Sequence, residues 1–337
     1  MRAVLLTRHG GPDALEYRDD VPDPVPAPGE VRIRVRAAAL NNTDVWTREG
    51  AYGTGDDPGA RTGWRRSAFA FPRIQGADVT GEIDAVGDGV PTSRIGERVL
   101  VDPMIYDGGE RALVTTDYLG SERDGGFAEL VTVPAGNAHP VGGALSPAEL
   151  AALPTAATTA MRMLGRAGLR AGESVLVTGA SGGVGAALVQ IAKDRGARVV
   201  AVAGAAKHEA VRAMGADVVL DRDAVAEAGE VDVVADVVAG PSFPALLGAL
   251  APLGRYVVAG AIAGPLVEAD LRTVYLRQLT LVGSSFGTHD DFAEVVELAG
   301  RGALRLPVAA RFPLAELAAA QERFAGKGFV GKLVVEP

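Results

Sequence analysis

The segment Gly179-Ala-Ser-Gly182-Gly183-Val-Gly185 is the strongest chemical signal in the chain. It follows the apolar run Ser174-Val-Leu-Val-Thr178 and leads into Ala186-Ala-Leu-Val-Gln-Ile-Ala192, so glycines cluster where a buried strand turns into a helix. Glycine suits such a turn where φ is positive, where backbone must approach a pyrophosphate, and where helix packs on strand. The helix start adds free N–H groups and the positive end of its dipole, which together bind phosphate. A dinucleotide site is therefore expected at Gly179, Ser181, Gly182, Gly183, Val184 and Gly185, with Gly260 joining it after the strand Arg255-Tyr-Val-Val-Ala259. About 20 residues past the last glycine, an NAD-type site presents an acid to the ribose. Here the chain reads Ala203-Gly-Ala-Ala-Lys207, without one. Gly204 leaves room, and Lys207 and Arg222 can meet a 2′-phosphate, which favours NADPH; solvated surface charges are the alternative for both cations.

Several chemistries are closed by composition. The 337 residues contain no Cys, so disulfides, thiolate nucleophiles and cysteine-held zinc are excluded. Four histidines, His9, His139, His208 and His289, stand singly without metal-ligand spacing; no metal site is expected. His9, in Arg8-His-Gly-Gly-Pro12, reads as part of a turn. Ser181 lies in the phosphate turn, not in a nucleophile elbow. The net charge of −9, with no run of basic residues longer than Arg65-Arg66, argues against nucleic acid as a partner. The uncharged stretch Ser174 to Ala192 is as long as a membrane span but has a glycine turn at its centre. No membrane partner is expected, and a cytoplasmic location follows.

The elements that must position these groups come in two textures. Up to about Val133 the chain shows short β-like runs between Gly and Pro, as in Glu30-Val-Arg-Ile-Arg-Val-Arg36, where period two puts Val31, Ile33 and Val35 inward and the arginines outward. This part reads as an irregular β-barrel. After about Ser146, six apolar strands alternate with Ala/Leu-rich helices, the pattern of a doubly wound parallel sheet. The 44 glycines, about 13% of the chain, follow no three-residue period and are read as turns and close approaches. Two long loops, 53–73 and 103–126, are either substrate loops or plain insertions. In the first, Trp64, Arg65, Arg66, Phe69 and Phe71 suit a planar, anionic or phenolic acceptor, or cover a dimer surface.

From end to end the sequence resembles the medium-chain dehydrogenase/reductase superfamily, in its zinc-independent quinone oxidoreductase branch. The matches include Pro28-Gly-Glu-Val-Arg-Ile-Arg-Val, Asn41-Asn-Thr-Asp44, Gly76-Ala-Asp-Val-Thr-Gly81, Gly125-Gly-Phe-Ala-Glu129, Thr159-Ala160, the Gly179 to Gly185 turn and Gly331-Lys332. The resemblance implies a GroES-like, mainly β catalytic domain from 1–145 and 286–337, a Rossmann domain from 146–285, and a homodimer joined near Thr280 to Ser284. Zinc alcohol dehydrogenases of the superfamily carry Cys where this chain has Asn41, a His-Glu pair at Ala77-Asp78, and four cysteines in the 103–126 loop; none of these is present.

Carried over residue by residue, Asn41 hydrogen-bonds cofactor or acceptor, Asp44 orients its neighbours, Tyr52 donates to a developing oxyanion, and Thr159 contacts the nicotinamide ribose or carboxamide. Each of the first three has a structural alternative as a buried hydrogen bond or turn. Trp46 replaces the branch's usual Tyr; indole can donate but not relay a proton, so it either stacks on a flat substrate or packs in the core. Without zinc as Lewis acid, a conjugated acceptor is the easier substrate. The expected activity is NADPH-dependent reduction of a quinone or α,β-unsaturated carbonyl. The alternatives are an enoyl reductase acting on a tailored metabolite or thioester, and a non-catalytic NADPH-binding regulatory or scaffold protein.

Overall fold

The computed structural model describes residues 1–52 and 69–337. These divide into two compact units, Met1–Thr155 with Thr288–Gly328 and Lys332–Pro337, and Ala156–Gly287 with Phe329–Gly331.

The first unit is built on a seven-stranded sheet ordered Ala138–Pro140, Arg98–Val101, Asp78–Val86, Glu30–Ala39, Lys332–Glu336, Val308–Pro313, with Leu130–Pro134 also paired to Glu30–Ala39. The alternation in Glu30–Ala39 acts as expected: Val31, Ile33 and Val35 are buried, while Arg32 and Arg34 pair with Asp84 and Arg36 with Glu82 across the strand. The C-terminal strand Lys332–Glu336 joins the middle of this sheet, Val334 and Val335 opposite Ala39 and Ala38. The short helix Pro147–Ala151, started by a Ser146–Glu149 capping box, buries Ala148 and Ala151 against Ala37, Ala39 and Val334. That packing ties 146–155 to the first unit, ten residues beyond the boundary expected from sequence. The 103–126 loop is more ordered than its composition suggests, with the strand pair Met104–Ile105 and Asp117–Tyr118 enclosing the turn of helix Glu110–Leu113.

The second unit holds a six-stranded, wholly parallel sheet ordered Val218–Leu220, Arg198–Val202, Ser174–Val177, Val231–Asp236, Leu250–Val258, Thr280–Gly283. This is the Rossmann order, in which the chain places successive strands to one side of Ser174–Val177 and then, from Val231–Asp236 onward, to the other. The 19-residue uncharged stretch resolves into strand Ser174–Val177, a turn, and helix Gly183–Asp194. Among the described residues no helix is long and apolar enough to cross a membrane. One face of the sheet packs Leu176, Val200 and Val234 against Phe243, Leu246 and Leu247.

Candidate functional site

In the second unit the glycine turn adopts the expected geometry. Gly179 has φ +57, and Gly182 is the N-cap of the helix Gly183–Asp194, with no side chain capping it. The first-turn amides of that helix, Gly183, Val184 and Gly185, therefore face outward at the end of the strand. A Cβ on Gly185 would lie 2.2 Å from the Gly179 carbonyl oxygen, whereas one on Gly182 would meet only that oxygen, at 3.4 Å. Gly185 thus serves helix–strand packing, and Gly182 leaves an open surface that a phosphate can approach. Both fit a dinucleotide. At the same end of the sheet, Asp236 accepts hydrogen bonds from Thr178 Oγ1 and Tyr256 Oη, both at 2.5 Å, and from the amides of Val238 and Ala239. This carboxylate ties three neighbouring strand ends together. Gly260 lies close enough to Val237 that a Cβ would approach its carbonyl oxygen at 2.9 Å.

Ser181 presents its carbonyl to the Gly331 amide at 2.8 Å. The same short segment, Phe329–Gly331, receives the Lys207 ammonium on the Phe329 carbonyl at 2.7 Å. Lys207 and Arg222 do converge: Arg222 reaches within 3.7 Å of a Cβ built on Gly204, and burial together with the Arg222 charge lowers the Lys207 pKa. The two cations flank the end of strand Arg198–Val202, where Gly204 adds no side chain of its own. Thr159 belongs to this unit, buried on the helix Pro154–Arg166.

In the first unit, Asn41, Asp44, Trp46 and Tyr52 gather around the helix Asn42–Glu49. Asn41 is the N-cap, and its amide donates to Asp44 Oδ2 at 2.7 Å. The two residues form a capping box, although the Asn41 side chain makes no cap hydrogen bond of ordinary geometry. Asn41 Oδ1 instead accepts from Lys332 Nζ at 2.6 Å, and the same ammonium donates to Asp78 Oδ2 at 2.9 Å. Asp78 Oδ1 in turn accepts the Thr155 amide at 2.7 Å. Asn41, Asp44, Asp78 and Lys332 are all buried. Burial, with the neighbouring Asp78 charge against the Asn41 amide and Lys332, pushes Asp44 up to about 7. Tyr52 is pushed up to about 12, chiefly by burial, so its hydroxyl remains a donor at neutral pH. Trp46 is half-buried and edge-on to Tyr52, with ring centroids 5.6 Å apart. Lys327 stands beside this group, donating to Asn42 Oδ1 at 2.8 Å and covering the Phe324 ring, its pKa pushed down to about 8 by burial and then by Lys332.

Of the aromatic insert, Phe69 and Phe71 pack on His9, whose ring lies 5.7 and 4.8 Å from theirs; Trp64, Arg65 and Arg66 lie outside the described residues. Lys332, Asp78 and Lys327 are the site groups that sequence reasoning left without a role. Their signal was present: Lys332 opens the apolar run Leu333-Val-Val and Asp78 sits between Ala77 and Val79. A charge embedded in an apolar strand is almost never buried without a partner.

Residues 27–143 match the model of the alcohol dehydrogenase GroES-like domain, and residues 183–301 match that of the zinc-binding dehydrogenases. The acryloyl-coenzyme A reductase of Metallosphaera sedula is 33% identical over 99% of both chains. The chain belongs to the medium-chain dehydrogenase/reductase superfamily. Within that superfamily it is also 31% identical to the mouse quinone oxidoreductase, over 99% of this chain and 97% of that one. A crystal structure from Sinorhizobium meliloti 1021 has a TM-score of 0.96 and 53% identity, covering 100% of this chain and 96% of that one. As a medium-chain dehydrogenase/reductase, the protein is a pyridine nucleotide-dependent oxidoreductase of the quinone oxidoreductase-like group.

The zinc of many superfamily members does not fit the residues present. Ala77 offers no ligand atom, and Asn41 Oδ1 and Asp78 Oδ2 both accept from the Lys332 ammonium. A fixed positive charge thus stands between the very positions that would have to bind a cation. Among the described residues no three His, Asp or Glu side chains gather as a metal-ligand group.

Proposed function

We propose that this medium-chain dehydrogenase/reductase is an NADPH-dependent, zinc-independent reductase of quinones or α,β-unsaturated carbonyls, with the first unit as catalytic domain and the second as cofactor domain. The observation that carries this reading is the Lys332 ammonium between Asn41 and Asp78. A site so arranged lacks a Lewis acid for stabilising a simple alkoxide, whereas a conjugated acceptor spreads the incoming charge over its own π-system. The similarity to a quinone oxidoreductase and an acryloyl-coenzyme A reductase supports the same acceptor class.

The bound nicotinamide supplies the hydride. Gly182, Gly183, Val184 and Gly185 hold its pyrophosphate on the helix start, with Ser181 and Gly260 shaping the turn around it. Lys207 and Arg222 neutralise a 2′-phosphate over Gly204. Thr159 contacts the nicotinamide ribose or carboxamide. Tyr52, protonated at neutral pH, donates a hydrogen bond to the developing oxyanion. Asp44 orients Asn41 through the backbone amide, and Trp46 braces Tyr52 edge-on. The proton that completes the reduction comes from solvent.

An enoyl thioester is the second acceptor reading, favoured by the 33% identity to the acryloyl-coenzyme A reductase. The test is NADPH oxidation followed at its absorbance maximum against quinones, simple enones and enoyl thioesters. Turnover of a conjugated acceptor, insensitive to chelator, is the expected result. No turnover across all three classes, or activity that a chelator abolishes and zinc restores, would remove this reading.

We also propose that the protein is a homodimer joined at the edge strand Thr280–Gly283. That strand ends the sheet, and Leu281, Leu271, Tyr275 and Leu276 are exposed there and on the preceding helix. An open strand edge flanked by apolar side chains favours pairing with a second copy. Leu281→Lys is expected to turn a dimer into a monomer in light scattering; a wild-type monomer would be the contrary outcome.

A further inference from the structure

Asn41 is the N-cap of the helix Asn42–Glu49 and forms a capping box with Asp44. Its side-chain oxygen is at the same time held by the Lys332 ammonium at 2.6 Å. The ammonium has only donors, so the atom 2.6 Å from it must be Oδ1, and this settles which way the amide faces. Nδ2 is left buried and without a hydrogen-bond partner among the described residues. A buried donor left without a partner works against the fold's stability. A buried donor whose direction one lysine fixes, and which no described residue accepts, fits a group held for a ligand.

We propose that Lys332 is a positioning residue that orients and polarises Asn41, so that Asn41 Nδ2 is the donor for the acceptor's carbonyl oxygen. This deepens the reductase reading and rests on it for the substrate class. In the step served, a C–H bond of the dihydronicotinamide breaks and its electron pair forms a C–H bond at the acceptor's β-carbon. The acceptor's π-pair shifts to its carbonyl oxygen, giving an enolate that then takes one proton from solvent; from a quinone this yields the keto tautomer, which becomes the hydroquinone by losing the ring proton to solvent and gaining one on oxygen. Negative charge builds on that oxygen. Nδ2–H donates to it, while the ammonium on Oδ1 draws electron density out of the amide and strengthens the donor, as hydrogen bonds in series do. Asp78 balances the Lys332 charge and fixes its position, itself held by the Thr155 amide.

Two variants test this in the full-length enzyme, with kcat, KM, Tm and the affinity of the NADP-loaded protein for 4-nitrophenolate, a stable oxyanion, read by its absorbance shift. Asn41→Asp keeps size and the bond to Lys332 but deletes the donor. It is expected to lower kcat about 100-fold, to leave the KM for NADPH unchanged and to abolish phenolate binding. Lys332→Met combined with Asp78→Asn removes the ion pair without leaving Asp78 as an unpaired buried charge, and it takes from Asp44 one attracting and one repelling charge together, so Tm should stay near wild type while kcat and phenolate affinity fall as in Asn41→Asp. Joining all three changes should add little, since they act on one bond. Wild-type kcat and phenolate affinity in either variant, additive losses, or a wild-type protein that binds no phenolate would overturn the proposal. A wild type that binds phenolate through Asn41 yet reduces no conjugated acceptor would instead sink the reductase reading and leave the amide's orientation standing.

Discussion

Gly185→Ala is expected to abolish usable cofactor affinity, raising the NADPH Kd at least 100-fold, about 2.7 kcal/mol. The added Cβ would lie 2.2 Å from the Gly179 oxygen, 2.6 Å from its carbonyl carbon and 2.7 Å from Ala180 Cα. All three are backbone atoms, so no side chain can swing away. Gly179 is already in the left-handed region, where the turn has little freedom to absorb the displacement. The helix start must move off the strand instead, and the first-turn amides lose their common focus. Overpacking of this kind also destabilises, typically by about 1–3 kcal/mol, so Tm should fall. Gly182→Ala separates the two effects, because its Cβ meets one atom at 3.4 Å. It is expected to keep a near-native Tm and still weaken NADPH, since the methyl stands where the phosphate approaches. Titration calorimetry with thermal melts reads both; undiminished NADPH affinity in Gly185→Ala would show that the dinucleotide binds elsewhere.

Arg222→Ala and Lys207→Gln are expected each to weaken NADPH about 10–100-fold, about 1.4–2.8 kcal/mol, with NADH affinity nearly unchanged. The difference arises because the two cofactors differ only in the 2′-phosphate, and a charge-assisted contact to phosphate is lost only where the phosphate exists. Arg222 lies alongside Gly204, where a larger residue would fill the space. Lys207 is depressed by its burial and by Arg222; a bound phosphate would relieve that repulsion, so NADPH binding should also raise the Lys207 pKa. Competitive titration of both cofactors with each variant decides the matter. Equal loss for NADH and NADPH, or tighter NADH binding by the wild type, would mean that the cations serve the fold and not the cofactor.

The second unit was the more legible of the two. Its apolar strands are short and continuous, its helices carry their own period, and the phosphate turn is written within seven consecutive residues, so local sequence carries the whole instruction. The strand Leu250–Val258 begins five residues before the expected Arg255, and the register shift opposite Val231 and Val233 takes up the extra residues, Pro252 and Gly254 among them. Boundaries of the first unit were less legible for the opposite reason. The helix Pro147–Ala151 is too short to announce which sheet it covers, and only its packing on Ala37, Ala39 and Val334 assigns it.

The same division runs through the site. Sequence by itself determined the Rossmann turn, the lack of cysteine ligands and the missing acid after strand Arg198–Val202, because each depends on residue type or on spacing within one turn. Tertiary structure alone decided that Lys332 meets Asn41 and Asp78, 291 and 254 positions away in the chain. No local pattern encodes that meeting: it exists because the strand Lys332–Glu336 enters the sheet beside Glu30–Ala39. The electrostatics follow from it, since a lysine and a carboxylate, each embedded in an apolar strand, can be buried only where sheet pairing brings them to one point.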